Sequence, residues 1–532
     1  MNPEQRRAFL RKAILAAAAT QLPRWAWSNA PALQSNPFAL GVASGDPAPD
    51  GVVLWTRLVL ADPALMQATH TVRWEVAHDV RFAQIVQKGE ATALPALGHS
   101  VHVELQGLAP SRWYHYRFML GDAISATGRT RTAPAPGDLP ATLRIGFASC
   151  QRWEHGHYAA WHHLVADQPD LVLFLGDYIY EYATPKNTEG LARTHSLRHA
   201  TTLADYRDRY ALHKSDPALQ AAHAACPWAV TWDDHEVQND YAASAGHAGQ
   251  AGRGDATSFL AQRGAAWQAF YENMPLRAAS LNRPFPDTRW DALQVYRRLR
   301  WGRLAHIHLL DSRQYRSWQA CRAPDSGSAG AVRGNSCADL DLADPTRSLL
   351  GTAQEQWLDT GLATDAATQD ATRWSVIAQQ TLFSPRHYPS GTVTTDNWDG
   401  YPAARARLLQ AVAQHKPRNT VLLGGDIHQN YVCRVHANAD RPDSPVIASE
   451  FCGTSISSRS GTTQDKVDAI ARHNPHVLLA RCDQRGYGLA DITPTRWTTT
   501  LRVLDDPLRA DSAATTLARF VVEDGRPGPK PA

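Results

Sequence analysis

The order of hydrophobic and polar positions divides the chain into two parts. Between residues 36 and 134, short segments such as 51–58 and 71–76 alternate apolar with polar side chains, and turn residues separate them. Such alternation predicts half-buried β-strands. Tyr114 follows a Leu-Ala-Pro segment at 108–110, in the manner of the tyrosine corner of immunoglobulin-like and fibronectin-like sandwiches. We therefore predict a small β-sandwich over residues 36–134.

Beyond residue 141 the pattern changes to compact apolar runs that alternate with amphipathic segments. The runs at 143–148 and 171–175 enclose a predicted helix over 157–167, which is the order of a βαβ unit. Further apolar runs that end in polar residues lie at 228–232, 304–310, 374–379 and 420–423. This pattern is typical of an α/β domain, which we place at residues 141–505. The Pro/Gly-rich end predicts that the C-terminal segment, 506–532, is partly disordered.

The first thirty residues have the features of an export signal. Arg6 and Arg7 precede a short apolar stretch over residues 13–20, and small residues follow at 28–30. This arrangement resembles a twin-arginine signal peptide over residues 1–30, which is recognised by the Tat export machinery and then removed. An ordinary basic N-terminal helix is the alternative. No later run reaches the roughly 18 apolar residues that a membrane span needs, so we expect no transmembrane segment and a periplasmic or secreted protein.

Cysteine content and charge narrow the compartment and the partners. Seven cysteines fit an oxidising compartment, where disulfides persist. Cys321 and Cys337 bracket a Gly/Ser-rich loop, which predicts a local disulfide, whereas the pairing of the other cysteines is open. The 532 residues carry a formal net charge of only +3, without a Lys/Arg block suited to a phosphate backbone. Stable nucleic-acid binding is therefore not expected.

Four predicted strand ends carry side chains that bind metal ions. They are Cys150 after the run at 143–148, Asp177 and Tyr180 after the next run, Asp233, Asp234 and His235 after the third, and Asp426 with His428 after the run at 420–423. The carboxyl ends of parallel strands meet at one edge of a sheet, where their loops converge. A single Asp there is usually a turn or cap residue, but the recurrence of carboxylate, imidazole, phenol and thiol groups predicts a metal site.

The same motifs resemble a known family. Gly176-Asp177-x-x-Tyr180 and Gly425-Asp426-x-His428 are similar to the metal-binding blocks of calcineurin-like and purple-acid-type metallophosphoesterases. Further blocks narrow the resemblance to the PhoD-type alkaline phosphatases: Ala-Ser-Cys-Gln at 148–151, Trp-Asp-Asp-His-Glu at 232–236, Asp-Ser-Arg-Gln-Tyr at 311–315 and Asp-Asn-Trp-Asp-Gly-Tyr at 396–401. The resemblance runs from the N-terminal signal to about residue 487, which is nearly the whole chain.

The resemblance implies a fold and a set of cofactors. The implied fold is α/β, a four-layer α/β/β/α metallophosphoesterase domain preceded by the β-sandwich. The implied cofactors are a ferric ion (Fe3+) and one or more calcium ions (Ca2+). Asp177 would bridge the metals, Cys150, Tyr180 and His428 would bind iron, and Asp234 with Asp426 would bind calcium. Thiolate and phenolate suit iron, whereas calcium prefers oxygen ligands. Asp233 is the alternative to Asp234.

The activity implied by this family is hydrolysis of small phosphate esters, as in an alkaline phosphatase. Two adjacent cations lower the pKa of a bridging water, and the resulting hydroxide attacks phosphorus in line. His235 is predicted to protonate or orient the leaving oxygen, the alternative being a structural strand-end histidine. Arg313 is predicted to contact phosphate through two N–H groups, or else to pair with Asp311. Arg152 and Asn239 are further candidates.

Two other functions are compatible with the sequence. One is a phosphodiesterase or phospholipase-D-like hydrolase, which would use the same site if its pocket admits a second ester group. The other is a non-catalytic periplasmic protein that binds metal or phosphate and docks a partner through the β-sandwich. The sequence leaves open the natural substrate, the number of calcium ions, the remaining disulfides, the oligomeric state and the role of the N-terminal domain.

Overall fold

The computed structural model describes residue 33 and residues 35–246, 256–322, 330–333, 339–367 and 372–532. The predicted signal peptide over residues 1–30 lies outside this range. In the part of the chain described, no helix is long and apolar enough to cross a membrane. Cys321 is disulfide-bonded, and Cys337, its predicted partner, lies outside the described residues. The five other cysteines are buried free thiols: Cys150, Cys226, Cys433, Cys452 and Cys482.

The strands are numbered in chain order. They are β1 (Val42–Ala48), β2 (Gly51–Arg57), β3 (His70–Ala77), β4 (Ile85–Ala93), β5 (Ser100–Glu104), β6 (Trp113–Leu120), β7 (Ala123–Ile124), β8 (Gly128–Arg131), β9 (Leu143–Ala148), β10 (Leu171–Leu175), β11 (Trp228–Thr231), β12 (Arg297–Trp301), β13 (Ala305–Leu309), β14 (Ala331–Arg333), β15 (Trp374–Ala378), β16 (Thr392–Thr394), β17 (Thr420–Gly424), β18 (Asn430–His436), β19 (Val446–Cys452), β20 (Val477–Arg481), β21 (Gly486–Ile492), β22 (Arg496–Leu504), β23 (Ala514–Glu523) and β24 (Arg526–Pro531).

The helices are numbered in the same way. They are α1 (Pro63–Gln67), α2 (Ala159–Ala166), α3 (Leu203–Lys214), α4 (Pro217–Ala225), α5 (Ala256–Asn273), α6 (Asp339–Leu342), α7 (Thr352–Ala367), α8 (Pro402–His415) and α9 (Gln464–Arg472). Helix α8 begins at a proline, whose missing N–H costs nothing at the first helical position.

Two large sheets pack face to face in the middle of the molecule. One has the strand order β24-β23-β22-β21-β9-β10-β11-β1-β2-β5, and the other has the order β12-β13-β15-β17-β19-β18-β20. Phe147 and Leu173 of the first sheet belong to one fully buried cluster with Ile307, Val376 and Leu423 of the second. Strands buried on both faces need apolar side chains at nearly every position, which explains the compact apolar runs of the sequence.

Helices cover the outer face of each sheet. On the first sheet, Trp161 of α2 packs in one cluster with Val172 and Phe174, which are the residues of β10 that point away from the second sheet. On the second, α7 and α8 pack in the same way against Ile377 and Leu422. The layers therefore follow the order α/β/β/α, as the resemblance implied.

The N-terminal β-sandwich is confirmed, but it shares a sheet with the α/β domain. Strands β3, β4 and β6, with β7 and β8, form one face, and β1, β2 and β5 form the other. The Tyr114 hydroxyl accepts a hydrogen bond from the Ala109 N–H at 3.0 Å, as in a tyrosine corner. Strand β1 also pairs in parallel with β11, with Gly45 opposite Trp228. The ten-stranded sheet therefore crosses the predicted boundary near residue 134.

The prediction that residues 506–532 are partly disordered is wrong. Strand β23 pairs with β22, and β24 pairs with β23 at the edge of the ten-stranded sheet. Phe520 and Val522 point into the core between the sheets, which holds this hairpin in place. Gly525, with a φ of 73°, makes the turn between the two strands. Prolines are tolerated in β24 because an edge strand has one side without ladder hydrogen bonds.

A buried polar cluster lies between β13 and α7. The carboxylate of Asp365 accepts hydrogen bonds from His306 Nδ1, from His308 Nε2 at 2.9 Å and from Ser375 Oγ at 2.7 Å. Arg298 Nε donates to His308 Nδ1 at 3.2 Å, so the hydrogen of that imidazole is on Nε2. With Nε2 already donating, His308 offers no lone pair to a metal ion. We therefore interpret this cluster as a structural hydrogen-bond network.

Alanine substitutions at two helix glycines test how closely α7 packs against this network. A Cβ at Gly361 of α7 would lie 2.7 Å from both Arg298 Nη2 and His308 Cε1, whereas the nearest atom to a Cβ at Gly264 of α5 is 3.8 Å away. We expect Gly361→Ala to lower the thermal unfolding midpoint through a clash costing about 1–3 kcal/mol. The matched Gly264→Ala variant should raise it through a gain of roughly 0.5–1 kcal/mol in helix propensity. Stabilisation by both would contradict the packing described.

Candidate metal centre

The carboxyl ends of central strands from both sheets converge on one site. Strands β9, β10, β11 and β17 lead into the loops that carry the predicted ligands Cys150, Asp177, Tyr180, Asp234, Asp426 and His428. Close packing leaves no room for a side chain at the glycine of either Gly-Asp motif. A Cβ on Gly176 would lie 2.4 Å from the Asp233 Cβ, and one on Gly425 would lie 2.2 Å from Ser149 Oγ.

One group of potential ligands contains Cys150, Asp177 and His428, each with a ligand atom within 4.8 Å of the other two. The Tyr180 hydroxyl donates to Asp177 Oδ2 at 2.7 Å and lies 3.1 Å from His428 Nε2. His428 Nδ1 donates to the Arg459 carbonyl oxygen at 2.7 Å, so the lone pair of Nε2 faces the site. These four side chains therefore present sulfur, oxygen and nitrogen donors to a single point.

Two further groups lie beside the first: one shares Asp177 with it, and the other is linked to that one through Asp234. The ligand atoms of Asp233, Asp234 and Asp426 lie within 4.8 Å of one another, and so do those of Asp177, Asp234 and His235. Asp177 therefore belongs both to the thiol-containing group and to a carboxylate-rich group. This is the arrangement that a bridging ligand between two cations requires. Both Asp233 and Asp234 lie at the site, so the choice between them that the sequence left open remains open.

The backbone at four of these residues is in the left-handed region. The φ angles are 58° at Cys150, 58° at Asp177, 65° at Asp426 and 56° at His428. This region is uncommon for residues other than glycine, and such strain is concentrated at functional sites. The loops are held by hydrogen bonds, one of which runs from the Cys150 N–H to the Gly176 carbonyl oxygen at 3.1 Å.

The centre contains buried carboxylate oxygens that lack hydrogen-bond partners among the described residues. They are Asp177 Oδ1, Asp233 Oδ2 and Asp234 Oδ1. Burial raises the pKa of Asp177 well above its usual range, and it raises the pKa of Asp426 to about 6. Bound cations would supply the missing partners and stabilise the ionised carboxylates. The residues present therefore fit a metal centre.

The thiol and phenol at the centre are neutral without such cations. Burial raises the pKa of Cys150 and of Tyr180 well above their ordinary values, and the nearby Asp177 carboxylate raises both further. A cation in contact with these groups stabilises their anionic forms and removes the proton. Thiolate and phenolate ligands are therefore expected only with metal bound.

His235 is held by a carboxylate that sequence reasoning did not single out. Its Nδ1 donates to Glu181 Oε2 at 2.7 Å, and its ring lies 4.1 Å from the ring of Tyr180. Burial opposes the charged imidazolium, but the negative charges of Glu181, Asp234 and Asp177 raise the pKa of His235 well above its usual value. Glu181 itself is fully buried and also accepts the backbone N–H of Asn239 at 2.9 Å.

Glu236 joins the two loops that carry the aspartates. Its carboxylate accepts the backbone N–H groups of Asp177 at 3.1 Å, Tyr178 at 2.6 Å and Asp233 at 2.8 Å. Burial raises the pKa of Glu236 to about 7, against the opposing effect of these hydrogen bonds. This side chain therefore sets the distance between the loop after β10 and the loop after β11.

Arg313 lies at the site, and its guanidinium does not pair with Asp311. Its Nε donates to Asp233 Oδ1, and its Nη1 and Nη2 donate to the two oxygens of Asp396 at 2.9 and 2.7 Å. Asp311 accepts the backbone N–H of Arg313 instead of the guanidinium. The side chain is 1% exposed, and besides these partners its Nη2 lies 3.4 Å from Asp234 Oδ1, so it positions both aspartates of this loop.

The other candidates lie at the rim. Arg152 places its guanidinium carbon 5.8 Å from the ring centroid of Tyr180, and Asn239 is half-buried beside Glu181. Ser458, which the sequence analysis did not identify, donates to the Tyr180 hydroxyl at 2.8 Å. No spacing or motif marks this serine, because it reaches the site from a loop far along the chain. Glu236, in contrast, ends the Trp-Asp-Asp-His-Glu block, and Glu181 directly follows Tyr180, so both were detectable from the motifs.

Comparisons with known proteins agree with this geometry. The model of the PhoD-like phosphatases matches residues 145–501, and the model of their N-terminal domain matches residues 24–134. Alkaline phosphatase D of Bacillus subtilis (strain 168) is 42% identical over 511 residues, which cover 94% of this chain and 83% of that protein. A solved structure of PhoD superposes with a TM-score of 0.86 at 40% identity and covers 94% of this chain and 93% of its own. The chain belongs to the PhoD-like phosphatase family.

Proposed function

We propose that this protein is an exported alkaline phosphatase that hydrolyses phosphate esters at a centre of Fe3+ and Ca2+. The observation that supports this most directly is the convergence of unpartnered buried carboxylate oxygens with a thiol, a phenol and an imidazole. Such groups are costly to bury unless cations bind them. The relative named alkaline phosphatase D supports the same reaction.

The donor types divide the ligands between two cations. Cys150, Tyr180 and His428 would hold the iron, Asp234 and Asp426 would hold calcium, and Asp177 would contact both. Asp233 is the alternative ligand, since Arg313 binds Asp233 Oδ1 and also lies 3.4 Å from Asp234 Oδ1. Bound together, the cations supply the positive charge that activates water and stabilises the phosphoryl oxygens as negative charge develops on them.

His235 is the residue best placed to assist the leaving group. With Nδ1 directed to Glu181, the opposite nitrogen, Nε2, is turned towards the side of the site that Asp177 and Asp234 line. A proton held at Nε2 can pass to the ester oxygen as the P–O bond breaks. Glu181 fixes the ring orientation and the tautomer from behind.

Replacing His235 tests this role. We expect His235→Gln to lower kcat for alkyl phosphates about a hundredfold, because their leaving oxygens need a proton. With p-nitrophenyl phosphate, whose leaving group departs as the anion, the decrease should be several times smaller. Glu181→Gln should also lower kcat for both substrates, but by a smaller factor than His235→Gln does. An equal loss on both substrates with intact metal content would remove His235 as the acid.

Hydrolysis of diesters is the second candidate activity. A cavity of about 390 Å³ lies next to the residues that hold His428, although none of the predicted metal ligands lines it. Two of its lining residues bind His428: the Arg459 carbonyl oxygen accepts from His428 Nδ1, and Arg485 Nη1 donates to the His428 carbonyl oxygen. Its other walls carry mainly hydroxyl, amide and charged groups, among them Ser460, Thr462 and Gln464. A second, polar ester substituent would have to extend past Arg459 and Arg485 to reach this cavity.

The two activities are separated by their substrates. We expect the purified metal-loaded protein to hydrolyse p-nitrophenyl phosphate with the higher kcat/KM and bis-p-nitrophenyl phosphate with the lower. A strong preference for the diester would replace the monoesterase proposal with a phosphodiesterase. Absence of turnover on both, with metal bound, would favour a non-catalytic binding protein.

Export by the twin-arginine route is part of the proposal. It is supported by the paired arginines and the apolar stretch that follows them, which precede the first described residue. Because this route carries folded proteins, iron can be loaded before export. The mature protein would then act in the periplasm or outside the cell.

A further inference from the structure

The guanidinium of Arg152 is held at the rim of the metal centre with its outer edge free. Its Nε donates to Glu154 Oε2 at 3.3 Å, and its carbon lies 5.8 and 5.0 Å from the ring centroids of Tyr180 and Tyr182. Its side chain is 18% exposed. Within the described chain, neither of its terminal nitrogens makes a hydrogen bond to protein. This contrasts with Arg313, whose donors face carboxylates.

The main chain of Arg152 is fixed on both sides. Its N–H donates to Ser458 Oγ at 3.0 Å, and its carbonyl oxygen accepts from Ser457 Oγ at 2.7 Å. Ser458 in turn binds the hydroxyl of Tyr180, the predicted iron ligand. Ser458 therefore binds both the backbone of Arg152 and the hydroxyl of Tyr180, which restricts movement of Arg152 relative to the metal centre.

Glu154 binds the Nε of Arg152, and His195 lies beside Glu154. The Leu197 N–H donates to His195 Nδ1 at 3.2 Å, which leaves the hydrogen of this imidazole on Nε2, 3.3 Å from Glu154 Oε1. Arg209 Nη1 lies 3.0 Å from the same nitrogen and adds positive charge beside the pair. Burial opposes ionisation of Glu154, but His195 and Arg152 lower its pKa to about 2. The carboxylate therefore stays charged at any working pH.

We propose that Arg152 binds the phosphoryl oxygens of the substrate through its terminal nitrogens, and that Glu154 is a positioning residue for it. This inference rests on the proposed phosphatase function. A guanidinium presents two parallel N–H groups that match two oxygens of a phosphate, provided that its plane is held. The hydrogen bond from Nε to Glu154 holds the plane of the guanidinium, and the guanidinium carbon also lies over the rings of Tyr180 and Tyr182.

Inorganic phosphate is the probe that isolates this contact. In the metal-loaded enzyme, Glu154→Gln should weaken phosphate binding, measured both by calorimetry and as an inhibition constant, by about tenfold, the effect expected for one impaired charge-assisted contact. KM for p-nitrophenyl phosphate should rise by the same factor, while kcat changes by less than about threefold. Arg152→Lys should behave similarly, because an ammonium cannot present the fork.

Control variants distinguish a positioning role of these residues from a purely structural one. Glu75→Gln removes a matched carboxylate that binds Arg117 in the β-sandwich, and it should leave phosphate binding unchanged. Arg152→Ala should lose phosphate affinity and regain part of it with added guanidinium ion, which a purely structural role would not allow. If Glu154→Gln does not fold, Arg152→Lys and Arg152→Ala still decide the question.

The failure of this inference is distinguishable from that of the proposed function. A wild-type protein that binds metal but hydrolyses no phosphate ester would defeat the proposed function. An active wild type whose Arg152→Lys and Arg152→Ala variants keep the same phosphate affinity would overturn the role of Arg152 alone. Unchanged affinity in a folded Glu154→Gln variant would overturn the positioning role of Glu154.

Discussion

Asp177 lies where a strand of the buried sheet ends, with one carboxylate oxygen bonded to Tyr180 and the other without a hydrogen-bond partner in the described chain. Burying several carboxylates in one place is unfavourable unless positive charge comes with them. Arg313 and His235 supply part of this charge, and their pKa values are raised by the surrounding carboxylates. Bound cations would supply the positive charge that is still missing. The close packing at Gly176 and the left-handed backbone at the ligands follow from holding these groups together.

The supporting residues explain how such a site keeps its geometry. Glu236 ties the loops after β10 and β11 through three backbone N–H groups. Gln380 performs a comparable task between the sheets, because its amide donates to the carbonyl oxygens of Trp232 and Leu310 at 2.9 and 2.8 Å. The ligands therefore sit on loops, but the loops are fixed by side chains buried beneath them. This is the preorganisation that a reactive centre needs.

Much of the fold was predictable, because buried parallel strands leave compact apolar runs and because polar groups recur at their ends. Spacing as well as the family resemblance indicated Asp177, Tyr180, Asp426 and His428, whereas Cys150 as a ligand depended mostly on the resemblance. The C-terminal hairpin was missed, since its prolines and glycines suggested disorder while Phe520 and Val522 anchor it in the core. The partners of Arg313 were also missed. Asp396 reaches it from 83 residues further along the chain, and no local pattern predicts such a contact.

The metal content of the purified protein tests the central claim most directly. Elemental analysis should find iron together with calcium in the wild type. The variant Asp177→Asn should lose both, because this side chain is the one that the two groups of ligands share. Zinc alone, or a fully active protein without iron, would contradict the account of the centre given above.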